Sequence, residues 1–343
     1  MIELSDSIAW LAKRDGSAVI GHGPFTEAAE APVAGIAFYV QNFDLSDLKP
    51  WKIPAVFERT TAAQLATDFS PFSPPEIEWS PVDATIFSVI FQEIASCIQM
   101  GIFEKTVPVI TETGLSSTTT GRLIATAMAQ QGAPLQSYGW IHGSSGFAGA
   151  TPELLFSLDG NMFETMALAG TARSDDQDVF AVDEKEIREH EYVAQTLVSK
   201  LQDLGMIDRR AREILDLGLI VHFLTTIRLT LHAPQSAENF IKMLHPTPAL
   251  GPHPRTGETL RKLVDWRKRL GCPAQFGAPF GLWDDGRFDA VVAIRGIWWD
   301  GGQLKLPAGC GIIEASRLVN EWRELRLKRE TVKRFLIPKA PGF

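Results

Sequence analysis

The sequence runs to 343 residues, 45% of them apolar, which is enough for a large buried core and, by length, for about two domains or one large one. Its 33 basic against 41 acidic side chains leave a formal charge of −8, which argues against nucleic acid as a partner, because phosphate binding needs concentrated cationic surface. Cys97, Cys272 and Cys310 are too few and too widely spaced for a disulfide framework, and Trp10, Lys13, Arg14 and Asp15 interrupt any apolar signal-peptide core, so a reducing, cytoplasmic setting is expected.

In chain order, residues 1–80 mix short β-like runs, such as 36–40, with a connector, Ser70-Pro71-Phe72-Ser73-Pro74-Pro75, and carry no recognisable chemistry. The most hydrophobic segment contains Gln92, Glu93 and Gln99, and Ile86, Ile90, Ile94 and Ile98 recur at every fourth position. That spacing predicts an amphipathic helix over 84–100 rather than a membrane span. Residues 103–110 read as a strand with Lys105 near its start and Pro108 marking an edge or bulge. A helix over 119–131 precedes β-like runs at 137–142 and 146–156, where the glycines before Glu153 imply close backbone approach. A strand over 164–173 ends in small residues, and polar 174–178 reads as a mobile loop.

A helix over 182–204 follows, then a strand over 217–231 containing His222, the rigid loop His245-Pro246-Thr247-Pro248-Ala249-Leu250-Gly251, and a helix over 257–270. The last third is β-rich: 276–281, then 289–299 with Arg295 inside an apolar strand, a turn at Asp300-Gly301-Gly302, and 303–313. A helix over 317–336 closes the pattern.

Two acidic stretches stand out. Asp183-Glu184-Lys185-Glu186-Ile187-Arg188-Glu189-His190 and Glu321-Trp322-Arg323-Glu324 each place two glutamates three apart, on one helix face, and Lys328 extends the second stripe. Either stretch alone reads as solvated surface. Together their carboxylates can converge on a divalent cation, and hard oxygen donors without a cysteine or histidine pair favour Mg²⁺. An arginine in an apolar strand is costly unless an anion pairs with it, which marks Arg295. The sequence has no fixed-period repeat, no phosphate loop, no G-x-G-x-x-G and no G-x-S-x-G, so nucleotide-dependent and serine-hydrolase chemistry lack support.

Six blocks then occur in one order: Lys105-Thr106-Val107; Gly149-Ala150-Thr151-Pro152-Glu153-Leu154-Leu155; Leu168-Ala169-Gly170-Thr171; Lys185-Glu186-Ile187-Arg188-Glu189-His190; His245-Pro246-Thr247-Pro248-Ala249; and Ala293-Ile294-Arg295 through Ala308-Gly309-Cys310-Gly311-Ile312 to Glu321-Trp322-Arg323-Glu324. In this order the chain resembles the chorismate-binding enzymes, the family of isochorismate synthase, salicylate synthase, anthranilate synthase component I and aminodeoxychorismate synthase. The resemblance covers roughly residues 84–336. It leaves 1–80 as a weakly matched N-terminal part of the fold and 81–338 as the catalytic core.

The resemblance implies an α+β fold: one large domain with two antiparallel sheets in a layered core, helices outside, and chorismate held between the sheets with Mg²⁺. Glu189 and Glu324 resemble the direct metal ligands, with Glu186 and Glu321 as water-mediated supports, and the ion would grip the ring carboxylate. The amides of Gly170 and Thr171 resemble groups that bind the same carboxylate. Arg295, assisted by the backbone around Gly309, resembles the group that binds the enolpyruvyl carboxylate. His245 sits where the family places a substrate-facing imidazole. Lys105 resembles the water-activating lysine of isochorismate and salicylate synthases, where anthranilate synthases usually carry glutamine. Glu153 matches the general acid for the departing C4 hydroxyl, and Ala169 stands where aminodeoxychorismate synthases carry a nucleophilic lysine. Lys105 would take a proton from water attacking C2 while Glu153, kept protonated by apolar neighbours, delivers one to the leaving hydroxyl on the other side of the ring.

Departures from the pattern are Phe276, where many members have a tyrosine, Pro252-His253-Pro254 in place of a glycine-rich continuation, Cys310 in place of alanine, and a missing arginine after Lys105. The expectation is an Mg²⁺-dependent isochorismate synthase, an isomerase of menaquinone or siderophore biosynthesis. Salicylate synthase is the nearest alternative, followed by anthranilate synthase component I and a catalytically silent chorismate-binding protein. A monomer is expected, with a small-molecule substrate and with no glutaminase subunit, membrane or nucleic-acid partner.

Overall fold

The computed structural model describes residues 7–69, 73–117 and 120–337. Ser70, Pro71 and Phe72 of the expected connector, residue 119 of an expected helix and residue 338 of the expected core lie outside the described residues. Among the described residues, 17 strands join in one hydrogen-bonded network, every pairing in it antiparallel, and a two-stranded sheet joins Lys105–Thr106 to Ile312–Ile313. Side-chain alternation divides that network into two layers, because successive residues of a strand face opposite ways. In strand Ser7–Ala12, Ala9 and Leu11 point between the layers, while Ile8, Trp10 and Ala12 point out under a helix. In strand Ile36–Val40 of the other layer, Phe38 and Val40 point inward, and Ala37 and Tyr39 point out.

The inner core is aromatic, with Phe38, Tyr138, Phe147, Phe280 and Trp298 buried between the layers. Helices cover both outer faces: Glu184–Leu201 and Ala237–Leu244 through Val193, Leu197, Phe240 and Leu244 on one, Thr120–Ala129 through Ile124 and Met128 on the other. Burying each such side chain contributes roughly 1.5–3 kcal/mol, an upper figure for a chain that is partly compact before folding. Among the described residues no helix is long and apolar enough to cross a membrane.

The hydrogen bonding is more continuous than two separate sheets. Strand Trp51–Thr61 pairs with Ser17–Ala28 of one layer and Ile36–Val40 of the other. Residues below 80 therefore supply strands that join both layers. Several expected elements also differ. The helix Ala84–Gln99 buries Phe87, Ile90, Phe91, Ile94 and Cys97, whereas Ile86 is half exposed, because a 3.6-residue turn carries the fourth-position series off the buried face. Pro108 separates two strands, Lys105–Thr106 and Val109–Leu115. The expected loop 174–178 is a 3₁₀ turn, Ser174–Asp176, running into a short helix, Gln177–Ala181. The expected strand 289–299 is broken into Arg287–Val292 and Gly296–Asp300, so Arg295 lies between strands, at a left-handed φ of 57°.

That break positions the site. The chain crosses from one layer to the other between Ser145–Thr151 and Leu154–Asp159, at Glu153, and crosses back between Arg287–Val292 and Gly296–Asp300, at Arg295. The crossings lie side by side, since the Val292 amide donates to the Glu153 carbonyl at 3.0 Å and the Ala150 amide donates to the Arg295 carbonyl at 3.1 Å.

Candidate active site

Both acidic helices reach one cavity. In Glu184–Leu201 the Asp183 side chain caps the first turn by accepting from the Lys185 and Glu186 amides, and the buried stripe His190, Val193, Ala194, Leu197 and Leu201 sets the helix's rotation. One turn earlier the same side presents Glu186 and Glu189. In Leu318–Phe335 the buried stripe Leu325, Arg329 and Val332 begins with Glu321 in the first turn, where the helix dipole favours a carboxylate. The cavity is lined by Glu186, Glu189, Glu321 and Glu324, by Lys185 and Lys328, and by Glu153, Gly170, Thr171, His222, Phe276, Arg295, Gly309 and Gly311.

Three of the four glutamates are paired with lysines. Glu186 lies 2.8 Å from Lys185, Glu189 lies 3.1 Å from Lys105, and Glu324 lies 2.6 Å from Lys328. Burial works against ionisation of Glu189, yet Lys105, with Lys185 and Lys328 behind it, holds that carboxyl below its ordinary value. Burial and the charge of Glu324 push the fourth, Glu321, up to about 7. Among the described residues no three acid, imidazole or thiol side chains stand close enough to enclose a metal ion as they are. The donor set is nonetheless all carboxylate and crowded with like charge, and Mg²⁺ needs only one or two direct carboxylates with water completing its shell. These glutamates fit that chemistry.

Lys105 approaches the cavity from behind its lining. A Cβ at Gly311 would meet its Cε at 3.0 Å, so glycine there makes room for the lysine's tip beside Glu189. Glu153 is buried, and burial raises its pKa to about 7 against the opposing pull of a Thr247 hydrogen bond and the charges of Lys328, Arg295 and Lys105. The Thr247 hydroxyl donates to Glu153 Oε1 at 3.0 Å, which orients the acid. Gly170 and Thr171 form a bulge: Ala169 pairs with Phe223 and Ala172 with Val221, so two residues face His222 alone. Gly170 takes a φ of 75°, and the Thr171 amide donates to Glu186 at 3.0 Å.

Arg295 is buried with its Nη1 unpartnered, and burial lowers its pKa to about 10 although Glu324 and Glu153 act the other way. A desolvated guanidinium without a bonded carboxylate is a receptor for an anion. Phe276 packs against Trp298 at the wall, and the Gly309 carbonyl accepts from Lys328 at 2.9 Å.

The structure does not bring His245 to this cavity. Its Nε2 donates to the Phe43 carbonyl at 2.7 Å, its ring stands edge-on to Phe43, and burial lowers its pKa to about 3, so it is a neutral group joining its loop to residue 43. The substrate-facing placement expected for it is corrected accordingly: the ring turns away because Phe43 supplies both an acceptor and an aromatic face. Sequence reading passed over three contributors, Lys185, His222 and Thr247. The first and last lie inside quoted blocks as polar neighbours of Glu186 and of the prolines, and His222 is a buried-strand histidine with no local signal.

The chain is 30% identical over 197 residues to isochorismate synthase EntC of Escherichia coli, covering 54% of this chain and 49% of that protein. It is 31% identical over 219 residues to the salicylate biosynthesis isochorismate synthase of Pseudomonas aeruginosa, covering 60% of this chain and 45% of that protein. The chain thus spans about half the length of the curated relatives it matches. Its fold superposes on that of MenF, the menaquinone-specific isochorismate synthase of Escherichia coli, with a TM-score of 0.83 at 19% identity, covering 97% of this chain and 89% of that one. The model of the chorismate binding enzyme family matches residues 81–337, and the chain belongs to that family.

Proposed function

We propose that the protein is an Mg²⁺-dependent isochorismate synthase, which adds water at C2 of chorismate and expels the C4 hydroxyl. The observation that carries this reading is Glu153: a buried carboxyl raised to about 7 in a cavity that also holds an anion-seeking arginine and four glutamates. Such a carboxyl keeps a substantial protonated fraction near neutrality and can donate to a leaving hydroxyl. Lys105, once it has given up the proton it holds against Glu189, takes the proton of the attacking water as a neutral amine, and Glu153 gives a proton to the departing C4 hydroxyl, so one water adds at C2 and one leaves from C4. Arg295 receives the enolpyruvyl carboxylate. Glu189 and Glu324 would hold Mg²⁺ directly, with Glu186 and Glu321 supporting through water, and the bound ion would neutralise the ring carboxylate and the charge that develops as the double bonds shift.

The test is one incubation of purified protein with chorismate and Mg²⁺, resolved by chromatography, beside a sample treated with EDTA. Isochorismate formed only with the metal is the expected result. Salicylate with pyruvate would replace the reading with salicylate synthase, and unchanged chorismate with Mg²⁺ present would overturn it.

A further inference from the structure

We propose that His222 is a positioning residue, a neutral imidazole strut that fixes the Arg295 guanidinium while leaving its charge unneutralised for an anionic ligand. The inference rests on Arg295 as the group that meets a substrate carboxylate. Of the other buried arginines, Arg329 meets the acid Glu112 at 3.1 Å, and Arg267 meets the Phe276 carbonyl and the Phe43 ring. Arg295 instead has His222 Nε2 3.1 Å from its Nη2. A guanidinium only donates, so Nε2 must present its lone pair. On the other side His222 Nδ1 lies 2.8 Å from the Gly170 carbonyl, which only accepts, so Nδ1 must carry the hydrogen.

The two partners therefore require the same tautomer, and a second proton would set an N–H against a cation. Burial first, and then the charge of Arg295, lower the imidazole pKa to about 3, which keeps it neutral at any working pH. Of the acids within electrostatic reach of Arg295, Glu324 is engaged by Lys328, and Glu153 accepts from the Thr247 hydroxyl, with burial raising its pKa. The ring thus spans two parts of the cavity wall, the bulge at Gly170 and the crossing at Arg295. A carboxylate in its place would hold the guanidinium equally well but would occupy the charge the ligand needs.

Three variants and one spectrum test this. His222→Gln can offer an oxygen to Arg295 and an N–H to Gly170 without charge, and it should keep chorismate affinity within about tenfold of wild type. His222→Leu removes the strut and should raise KM tenfold or more with a smaller change in kcat, the order expected for loss of one charged hydrogen bond. His222→Glu should fold with a Tm near that of wild type and lose at least about a hundredfold in chorismate affinity, because its carboxylate takes the ligand's place. Glu and Gln variants that weaken binding equally, or a Glu variant that binds as wild type does, would overturn the proposal. ¹⁵N spectra of labelled histidine are independent of substrate: His222 should remain the Nδ1-protonated neutral form from about pH 5 to 8, a range spanning the ordinary histidine titration. An Nε2-protonated or titrating signal would overturn the strut even if wild-type protein proved not to bind chorismate, a result that would count against the functional reading alone.

Discussion

The helix Leu318–Phe335 carries buried charge at both ends, and the two ends are built differently. Toward its C-terminus Arg329 and Lys333 converge on one carboxylate, Glu112, at 3.1 and 2.7 Å. Toward its N-terminus Glu321 is crowded by Glu324, while Glu153 and Arg295 stand in the same cavity with no ion pair between them. The first arrangement matches each charge with an opposite one and holds a helix on a strand. The second raises the pKa of its acids and leaves a cation without an acid bonded to it, which costs stability. Burial alone does not mark a functional charge, and neither does a missing partner, since Arg267 is buried with no acid against it; an unmatched charge that also lines the cavity does.

The sharpest way to break this contrast is Glu153→Gln. It should lower kcat by about 10²- to 10⁴-fold, the usual weight of a general acid, with chorismate affinity changed only a few fold. Turnover within tenfold of wild type, read by product chromatography, would remove Glu153 from the chemistry. The converse is Glu112→Gln, which leaves Arg329 buried without its acid. It should cost about 3–5 kcal/mol in denaturant unfolding, while kcat of the folded protein stays within about twofold, the range for a site remote from the chemistry.

The pH dependence sharpens the same point. Glu153 rises from an ordinary value of 4.5 to about 7 in the folded state, so the folded form holds its proton more tightly than the unfolded one. Its effect is absent below about pH 4.5, grows as pH rises toward 7, and above 7 is a constant destabilisation of order 3 kcal/mol. Glu153→Gln should therefore be more stable than wild type at pH 8 and nearly equal to it at pH 4. In wild type, kcat/KM should fall as pH rises through about 7, where the acid loses its proton. The smallest effect is expected at His245, where replacement by Phe leaves the Phe43 carbonyl unpaired: about 1–2 kcal/mol of stability, with KM within about twofold. A large rise in KM would return His245 to the substrate.

The part of this site legible in the sequence follows a physical rule. Glu186, Glu189, Glu321 and Glu324 could be placed on common faces because a helix fixes its neighbours three residues apart, and both helices form where expected. The blocks around Lys105, Glu153 and Arg295 added the resemblance. Arg295's left-handed backbone could not be read, because the positive φ falls on the arginine itself and not on Gly296 beside it, within a run from 289 to 299 that is otherwise mostly apolar. His222 was hidden for a related reason: its role depends on a bulge in the neighbouring strand, and strand pairing is a property of distant segments. The lysine pairings of Glu186 and Glu189 likewise depend on rotamers and on the approach of Lys105 from a separate sheet. Below residue 80 a continuous apolar run marks 36–40 as β-like, whereas strand Ser17–Ala28 contains Gly21, Gly23 and Pro24 and the outer part of Trp51–Thr61 is largely exposed.

The strand Trp51–Thr61 works as a seam. It stitches together layers whose residues beyond 80 line the candidate site, so a fragment starting at residue 81 would hold that lining and lack its fastening. In that fragment Gln136–His142 would lose Ser7–Ala12, and Pro279–Asp284 would lose Ile36–Val40. Two bare sheet margins would then invite pairing between molecules, and the trimmed protein should be recovered as aggregate.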